Sequence, residues 1–266
     1  MNVWLLSDLH LKSDQEPSSK FFIQFLNQVS SMASPKDTLI LLGDIFDLWV
    51  GGHSVFYFKY KNVVDAIQAL KSKGVRIIFI EGNHDLHIEP FWKDKLGAEV
   101  YVEAYYLELD GLTLRLEHGD EINLEDLAYL RLRSFLRHPI LKFLGHHLPG
   151  AFWSYLGRKA SQTSRKVSEK SRRQEGQDQK MIQMIRDHTL RAYKEKPFDV
   201  IVSGHMHVQD DWKTEIVGQG NHRKDNHKKV IRSLNLGSWL SGSYPIFHMQ
   251  KVDSEWKMNW IQNGLS

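Results

Sequence analysis

Residues 82–87, Gly-Asn-His-Asp-Leu-His, put an amide, a carboxylate and two imidazoles into six positions directly behind the apolar run Arg76–Ile80. Such side chains bind metal ions or carry protons. Four other stretches offer the same chemistry: Asp8-Leu9-His10, Gly43-Asp44 with Asp47, His118-Gly119-Asp120 and His205-Met206-His207. Singly each is a weak signal, because Asp, Asn and Gly also serve turns and helix caps. Each, however, follows an apolar run. Loops beyond the carboxyl ends of strands in an α/β sheet converge on one crevice. Five such loops point to a two-metal site. Asp8, His10 and His207 suffice for one ion and Asn83, His118 and His205 for the other, with Asp44 as the bridge. Imidazole, carboxylate and amide donors without sulfur suit Mn, Fe or Zn. Two such ions about 3.5–4 Å apart clamp a phosphoryl group and generate hydroxide near neutral pH.

The elements that must position these residues are legible in the hydrophobic pattern. Val3–Leu6, Thr38–Leu42, Arg76–Ile80 and Asp199–Val202 read as buried strands, and helical stretches run from about Ser18 to Met32 and from about Tyr60 to Lys73. Strands alternating with helices predict βαβ units and an α/β fold. Residues 100–119 alternate around Asp110-Gly111, a hairpin signal. Later strands are predicted at Gln209–Ile216, Val230–Leu236, Pro245–Val252 and Trp256–Ile261, with an exposed loop at 218–229. Two packed sheets with helices outside fit this order. The chain is expected to be a single domain, 1–266, carrying a helical lid insertion at about 122–196.

The composition is that of an ordinary soluble protein, 41% hydrophobic and 25% charged. No apolar run is long enough to span a bilayer, and the first ten residues lack a signal-peptide pattern. Cysteine is absent, which excludes disulfides and thiolate metal sites. The net charge of +3 hides an asymmetry: Arg131–Arg173 holds eleven Lys or Arg and one acid, Glu169. A basic block of this kind predicts an anionic partner, a phosphorylated substrate or membrane surface. Nucleic acid is not expected, since no aromatic-interleaved binding motif accompanies the block. His53, His87, His138, His146, His147, His188, His222, His227 and His248 lie outside the donor pattern and are read as surface or packing residues.

In order, the stretches DLH, GDIFD, GNHD, HGD and GHMH resemble the motifs of the calcineurin-like metallophosphoesterases, from Asp8 to His207. The resemblance implies a four-layer α/β/β/α metallophosphoesterase sandwich and hydrolysis of a phosphate ester or anhydride by metal-bound hydroxide. A closer similarity is to the UDP-2,3-diacylglucosamine pyrophosphatases of lipid A synthesis. It rests on GDIFDLWVGG (43–52), HGDEINLEDLAYLRLRSFLRHP (118–139), SQTSRKVSEKS (161–171) and LNLGSW (234–239).

This closer resemblance implies cleavage of the nucleotide–sugar pyrophosphate to UMP and 2,3-diacylglucosamine 1-phosphate. It also implies two divalent ions, Mn²⁺ first with Fe or Zn as alternatives, and a cytoplasmic protein peripheral to the inner membrane. Carried over, Asp8, His10, Asp44, Asn83, His118, His205 and His207 are the metal ligands. Asn83, His84, His205, Asp126, Tyr129, Ser164, Ser168 and Lys170 are substrate contacts. Leu130, Phe135, Leu136, Leu141, Phe143 and Leu144 are candidates for an apolar acyl-chain lining.

Three positions depart from the family: His84 where it carries Arg, Asp47 where Glu is common, and His53 in place of an acid. His84 with Asp47 is the pairing of the broader superfamily. There the His contacts the scissile phosphate or protonates the leaving group and the acid orients it, so both are expected to be catalytic, with Asp85 as competitor for the orienting role. The departures keep open a metallophosphoesterase acting on a soluble nucleotide or other phosphodiester. A non-catalytic scaffold of the same fold is the third reading.

Overall fold

Short, wholly apolar runs can be buried on both faces only inside a layered sheet, and the computed structural model places them there. It describes residues 1–150, 152–153, 155, 176–217 and 228–261. The first sheet has six strands in the order β13 (Glu255–Ile261), β12 (Ile246–Val252), β1 (Asn2–Leu6), β2 (Thr38–Leu42), β4 (Arg76–Ile80) and β6 (Glu99–Tyr101). Its β1-β2-β4-β6 half is parallel. The second has five: β10 (Gln209–Val217), β11 (Lys228–Leu236), β9 (Val200–Ser203), β8 (Leu112–Leu116) and β7 (Tyr105–Leu109).

The sheets pack face to face through residues that alternate along each strand. Val3, Leu5, Ile40, Leu42, Ile78 and Ile80 meet Leu114, Leu116, Val200, Val202, Leu234 and Leu236. On the outer face of the first sheet lie α1 (Pro17–Met32) and, after the short α2 (Ser54–Lys59), α3 (Lys61–Ser72). Helix α1 buries Phe22, Phe25, Leu26 and Val29, one helical stripe. The four layers and two sheets expected from the sequence are therefore present. The second predicted helix is present as α3, and the short α2 precedes it, the two meeting at Tyr60, whose ring is buried among Phe46 and Trp49. The alternating stretch also divides, since Glu99–Tyr101 joins the first sheet and only β7 and β8 form the hairpin, with both Asp110 and Gly111 at positive φ.

The expected insertion at 122–196 splits as well. Helices α5 (Leu127–Leu136) and α6 (Pro139–His147), which follow the four-residue α4 (Glu89–Trp92), bury almost nothing apolar of their own. By contrast, α7 (Gln177–Glu195) buries Ile185, His188, Thr189 and Ala192, with Thr189 and Ala192 on the second sheet and Ile185 on Ile122 and Met206, and forms the fourth layer. An i, i+3, i+4, i+7 stripe belongs to a packed sandwich helix, so this part of the predicted lid is core. The residues between β10 and β11, where the sequence predicts an exposed loop, lie mostly outside the described residues. No described helix is long and apolar enough to cross a membrane.

Candidate metal centre

Strands β1, β2, β4, β8 and β9 all end on the same side of the sandwich, and each delivers its donors there. Their loops are tied by backbone hydrogen bonds: Asp8 N donates to Gly43 O (3.1 Å), His10 N to Asp44 O (2.9 Å) and Gly204 N to His118 O (2.8 Å). Close approach needs glycine. A Cβ on Gly204 would collide with the Ser7 hydroxyl and the Asp8 carboxylate, and one on Gly82 with Asp44. Beneath, Phe46, Trp49, Tyr60 and Trp92 pack ring against ring, anchoring the Gly43–Trp49 loop in the outer core. Residues from LNLGSW brace the opposite side. Asn235 Nδ2 donates to Gly204 O (2.7 Å), and Trp239 N donates to Asp8 O (3.1 Å).

The side chains then converge in two groups. His207 Nε2 lies 3.1 Å and His10 Nε2 3.9 Å from Asp8 Oδ1, and the two imidazole nitrogens are 3.1 Å apart. On the other side His118 Nε2 lies 3.4 Å from Asn83 Oδ1. Asp44 stands between: Oδ2 is 3.8 Å from His10 Nε2 and Oδ1 is 3.6 Å from His118 Nε2. His205 Nδ1 faces the second group across Asp120 Oδ1 at 3.8 Å. All seven ligands expected from the sequence are thus brought to one cradle.

The cradle fits divalent cations on its own chemistry. Donor spacings of about 3–4 Å match the edges of a coordination shell with bonds near 2.0–2.2 Å. Asp8 Oδ1 is fully buried and faces the imidazole nitrogens of His207 at 3.1 Å and His10 at 3.9 Å, the groups that would share a cation with it. Five of the donors, Asp8, His10, Asp44, His205 and His207, sit at φ between 47° and 65°. Left-handed backbone at non-glycine residues costs about 1–3 kcal/mol each and concentrates at functional sites.

The electrostatics point the same way. Burial pushes the Asp8 carboxyl up, but His207 and His118 together outweigh it and hold Asp8 below its usual range. Asp44 is likewise lowered, with burial overcome by His118, His84 and the His84 N–H, which donates to Oδ1 at 2.9 Å. Burial and the neighbouring histidines keep His10 and His205 low and neutral. His118 is the exception: burial lowers it, but Asp44, Asp120 and Asp8 raise it to about 9. Ionised carboxylates and neutral imidazoles are the forms a cation needs, and His118 would release its proton on binding.

Around the cradle the expected roles are partly redistributed. His84 Nδ1 is hydrogen-bonded to the backbone carbonyl of Asp47 at 2.8 Å, not to a carboxylate oxygen, and its Nε2 lies 4.0 Å from Asp44 Oδ2. Asp85 does not orient His84. Its buried carboxylate accepts the Ile45 N–H (2.8 Å) and the Phe46 N–H (3.2 Å), holding the loop that presents Asp44. Asp126 caps α5 by accepting the Tyr129 N–H at 2.9 Å, while the Tyr129 phenol reaches Asn83 Oδ1 at 3.2 Å.

Ser164, Ser168 and Lys170 lie outside the described residues. Of the apolar candidates, Leu130, Leu136, Leu141 and Leu144 are half-buried, whereas Phe135 and Phe143 are 62% and 60% exposed. The basic block is not a free face along α5: Arg133 and Arg137 pair with Asp120 and Glu103. His53 and His87 join the insertion to the sandwich by hydrogen bonds to Gly145 O (2.7 Å) and Leu136 O (3.0 Å).

Asp120 belongs to the His118-Gly119-Asp120 stretch, but the motif pattern assigns it no role. The signal was present: Tyr129, Arg133 and Arg137 recur every fourth residue on one face of a predicted helix nine residues downstream.

Comparison with known proteins places these loops among homologous ones. A family model described as calcineurin-like phosphoesterase matches residues 1–209. The UDP-2,3-diacylglucosamine hydrolase of Stutzerimonas stutzeri is 30% identical over 237 residues, covering 89% of this chain and 90% of that protein. Those of Pseudomonas savastanoi pv. phaseolicola and Pseudomonas paraeruginosa are each 29% identical. They cover 89% and 90% of this chain, and 88% and 91% of their own lengths.

Proposed function

The chain belongs to the calcineurin-like phosphoesterase family, and from that premise we propose that it hydrolyses the pyrophosphate of UDP-2,3-diacylglucosamine to UMP and 2,3-diacylglucosamine 1-phosphate. It is a metal-dependent hydrolase. The observation that carries the substrate is the likeness to UDP-2,3-diacylglucosamine hydrolases across some nine-tenths of both chains, which takes in the helical insertion as well as the metal loops.

In this reading Asp8, His10, Asp44 and His207 hold one cation, and Asp44, Asn83, His118 and His205 the other. Two bound cations, with Mn²⁺ as the first choice, supply Lewis acidity to the phosphoryl oxygens and lower the pKa of water toward neutrality. The chain's own residues do the rest. Asp44 spaces the two subsites by offering one oxygen to each. His84, whose Nδ1 donates to the Asp47 carbonyl, turns Nε2 into the cradle, and in its imidazolium form, with both ring nitrogens protonated, it donates from Nε2 to the phosphoryl group undergoing attack. That hydrogen bond strengthens as charge builds on the phosphoryl oxygens. Net, one P–O bond of the anhydride breaks, and water adds H to one fragment and OH to the other. Asp126, Tyr129, Ser164, Ser168 and Lys170 contact the substrate from the insertion.

The exposed apolar side chains of the insertion, Leu132, Phe135, Ile140 and Phe143, rest on an anionic membrane surface at its cytoplasmic face. There they meet the acyl chains.

The test is UMP release from the diacylated substrate with Mn²⁺, set against the non-acylated nucleotide sugar. Release from the lipid alone is expected; equal turnover of both would remove the lipid from the proposal. His84, where the resemblance leads one to expect Arg, favours a second reading, a hydrolase of soluble nucleotides or phosphodiesters, which predicts that equal turnover.

A further inference from the structure

Asp120 lies where α5 meets the cradle, 5% exposed, and its two carboxylate oxygens serve different partners. Oδ1 accepts the Tyr129 phenol and faces His118 Nε2 at 3.9 Å and His205 Nδ1 at 3.8 Å. Oδ2 accepts Arg133 Nε and Arg137 Nη2, each at 3.0 Å. The same phenol stands 3.2 Å from Asn83 Oδ1, so its one hydrogen is shared between two acceptors that border the second cation subsite. Arg137 adds a hydrogen bond to Val102 O at 2.8 Å. With His87 on Leu136 O and the bonds of Arg133 and Arg137 to Glu103 and Glu121, these polar contacts tie α5 to the sandwich, since the helix buries no side chain of its own fully.

We propose that Asp120 is a positioning residue that couples cation loading of the second subsite to the docking of α5. This rests on reading the cluster as a cation centre, and not on which substrate it serves. A cation held by Asn83, His118 and His205 fixes one acceptor of the Tyr129 phenol outright and the surroundings of the other. Acceptors already in place cost less order to engage, so α5 docks more firmly on the loaded cradle. Linkage makes the effect reciprocal: whatever loosens α5 weakens the cation by the same factor. A charge-assisted clamp of two guanidinium groups on one carboxylate fixes the geometry in which Asp120 meets α5.

Hydrogen–deuterium exchange of the full chain, with and without Mn²⁺, tests this, with Mn²⁺ binding followed in parallel by calorimetry. In the unaltered protein saturating Mn²⁺ slows exchange of the α5 amides by about fivefold or more. Asp120→Asn leaves that exchange insensitive to Mn²⁺. Arg133→Gln combined with Arg137→Gln removes no cradle residue. It speeds α5 exchange without metal and flattens the Mn²⁺ response, while amides of β1 and β2 stay protected. Should Asp120→Asn lose protection in β1 and β2, the arginine pair alone decides. Mn²⁺ that binds the unaltered protein without slowing α5, or an arginine double variant that responds as the unaltered protein does, overturns the coupling. Failure of the unaltered protein to bind Mn²⁺, Fe²⁺ or Zn²⁺ overturns the cation centre and the coupling with it.

Discussion

His84 is held by Asp47 through a main-chain carbonyl: Nδ1 lies 2.8 Å from the Asp47 backbone oxygen, which leaves Nε2 as the edge that faces the cradle. A carbonyl only accepts, so Nδ1 carries a hydrogen and the chemistry belongs to Nε2, which donates when the ring is the imidazolium. His84→Ala therefore lowers kcat by about 10²–10³-fold, the scale of losing one transition-state donor. His84→Arg, which also presents N–H groups, retains kcat within about tenfold of wild type. Both variants keep two cations by elemental analysis. An alanine variant that turns over normally removes the role, and one that loses an ion makes His84 a ligand instead.

Asp44 offers one oxygen toward His10 and the other toward His118. Removing a shared ligand should empty both subsites. Asp44→Ala is expected to bind fewer than one Mn²⁺ per chain, whereas His207→Ala retains about one. Chelation of the unaltered protein abolishes hydrolysis, and Mn²⁺ restores it. An Asp44→Ala protein carrying two ions would show that the bridge is not needed.

Gly204 has no room for a methyl group against Ser7 and Asp8. Because the neighbours are a buried hydroxyl and a buried ligand, the strand ends must separate. Gly204→Ala should cost about 1–3 kcal/mol in chemical denaturation, the range for overpacking, and weaken Mn²⁺ binding as well. Gly111→Ala, where nothing lies near the added carbon, is the control that separates crowding from backbone conformation, and it leaves Mn²⁺ affinity unchanged.

His87 donates from Nε2 to Leu136 O, and burial pushes its pKa down to about 4. The unfolded chain takes up this proton near pH 6.5, and the folded one only near pH 4. Between those values the unfolded state binds more protons, so this group's contribution to stability is complete above pH 6.5 and declines as the pH falls toward 4. Glu81, raised to about 7 by burial, acts in the opposite direction over much of the same window. The measurement is therefore a difference: unfolding free energies of wild type and His87→Gln converge as the pH is lowered from 7 to 4. Parallel profiles would show that His87 does not titrate in this window.

Phe135 and Phe143 project from α5 and α6 into solvent. Their replacement by Ser should reduce co-sedimentation with anionic phospholipid vesicles severalfold. Equal sedimentation of variant and wild type would take these two rings out of the membrane contact.

By itself the sequence determined the sandwich and the donor set, because both are written in local pattern. Five-residue apolar runs can only be interior strands, and Asp, Asn and His placed immediately behind them can only sit at their carboxyl ends. Tertiary structure decided what each polar group touches. Asp85 is next to His84 along the chain and Asp47 lies 37 residues before it, yet the Asp85 carboxylate turned inward to two amide hydrogens, while Asp47 met His84 through its backbone. Asp120 became a junction through contacts 9, 13 and 17 residues away and across to β9. The helix Gln177–Glu195 was read with the lid until its stripe met the second sheet. Spacing fixes which residues can arrive at one place. Hydrogen-bond direction and packing between segments distant in sequence fix what they do there, and neither has a local signature.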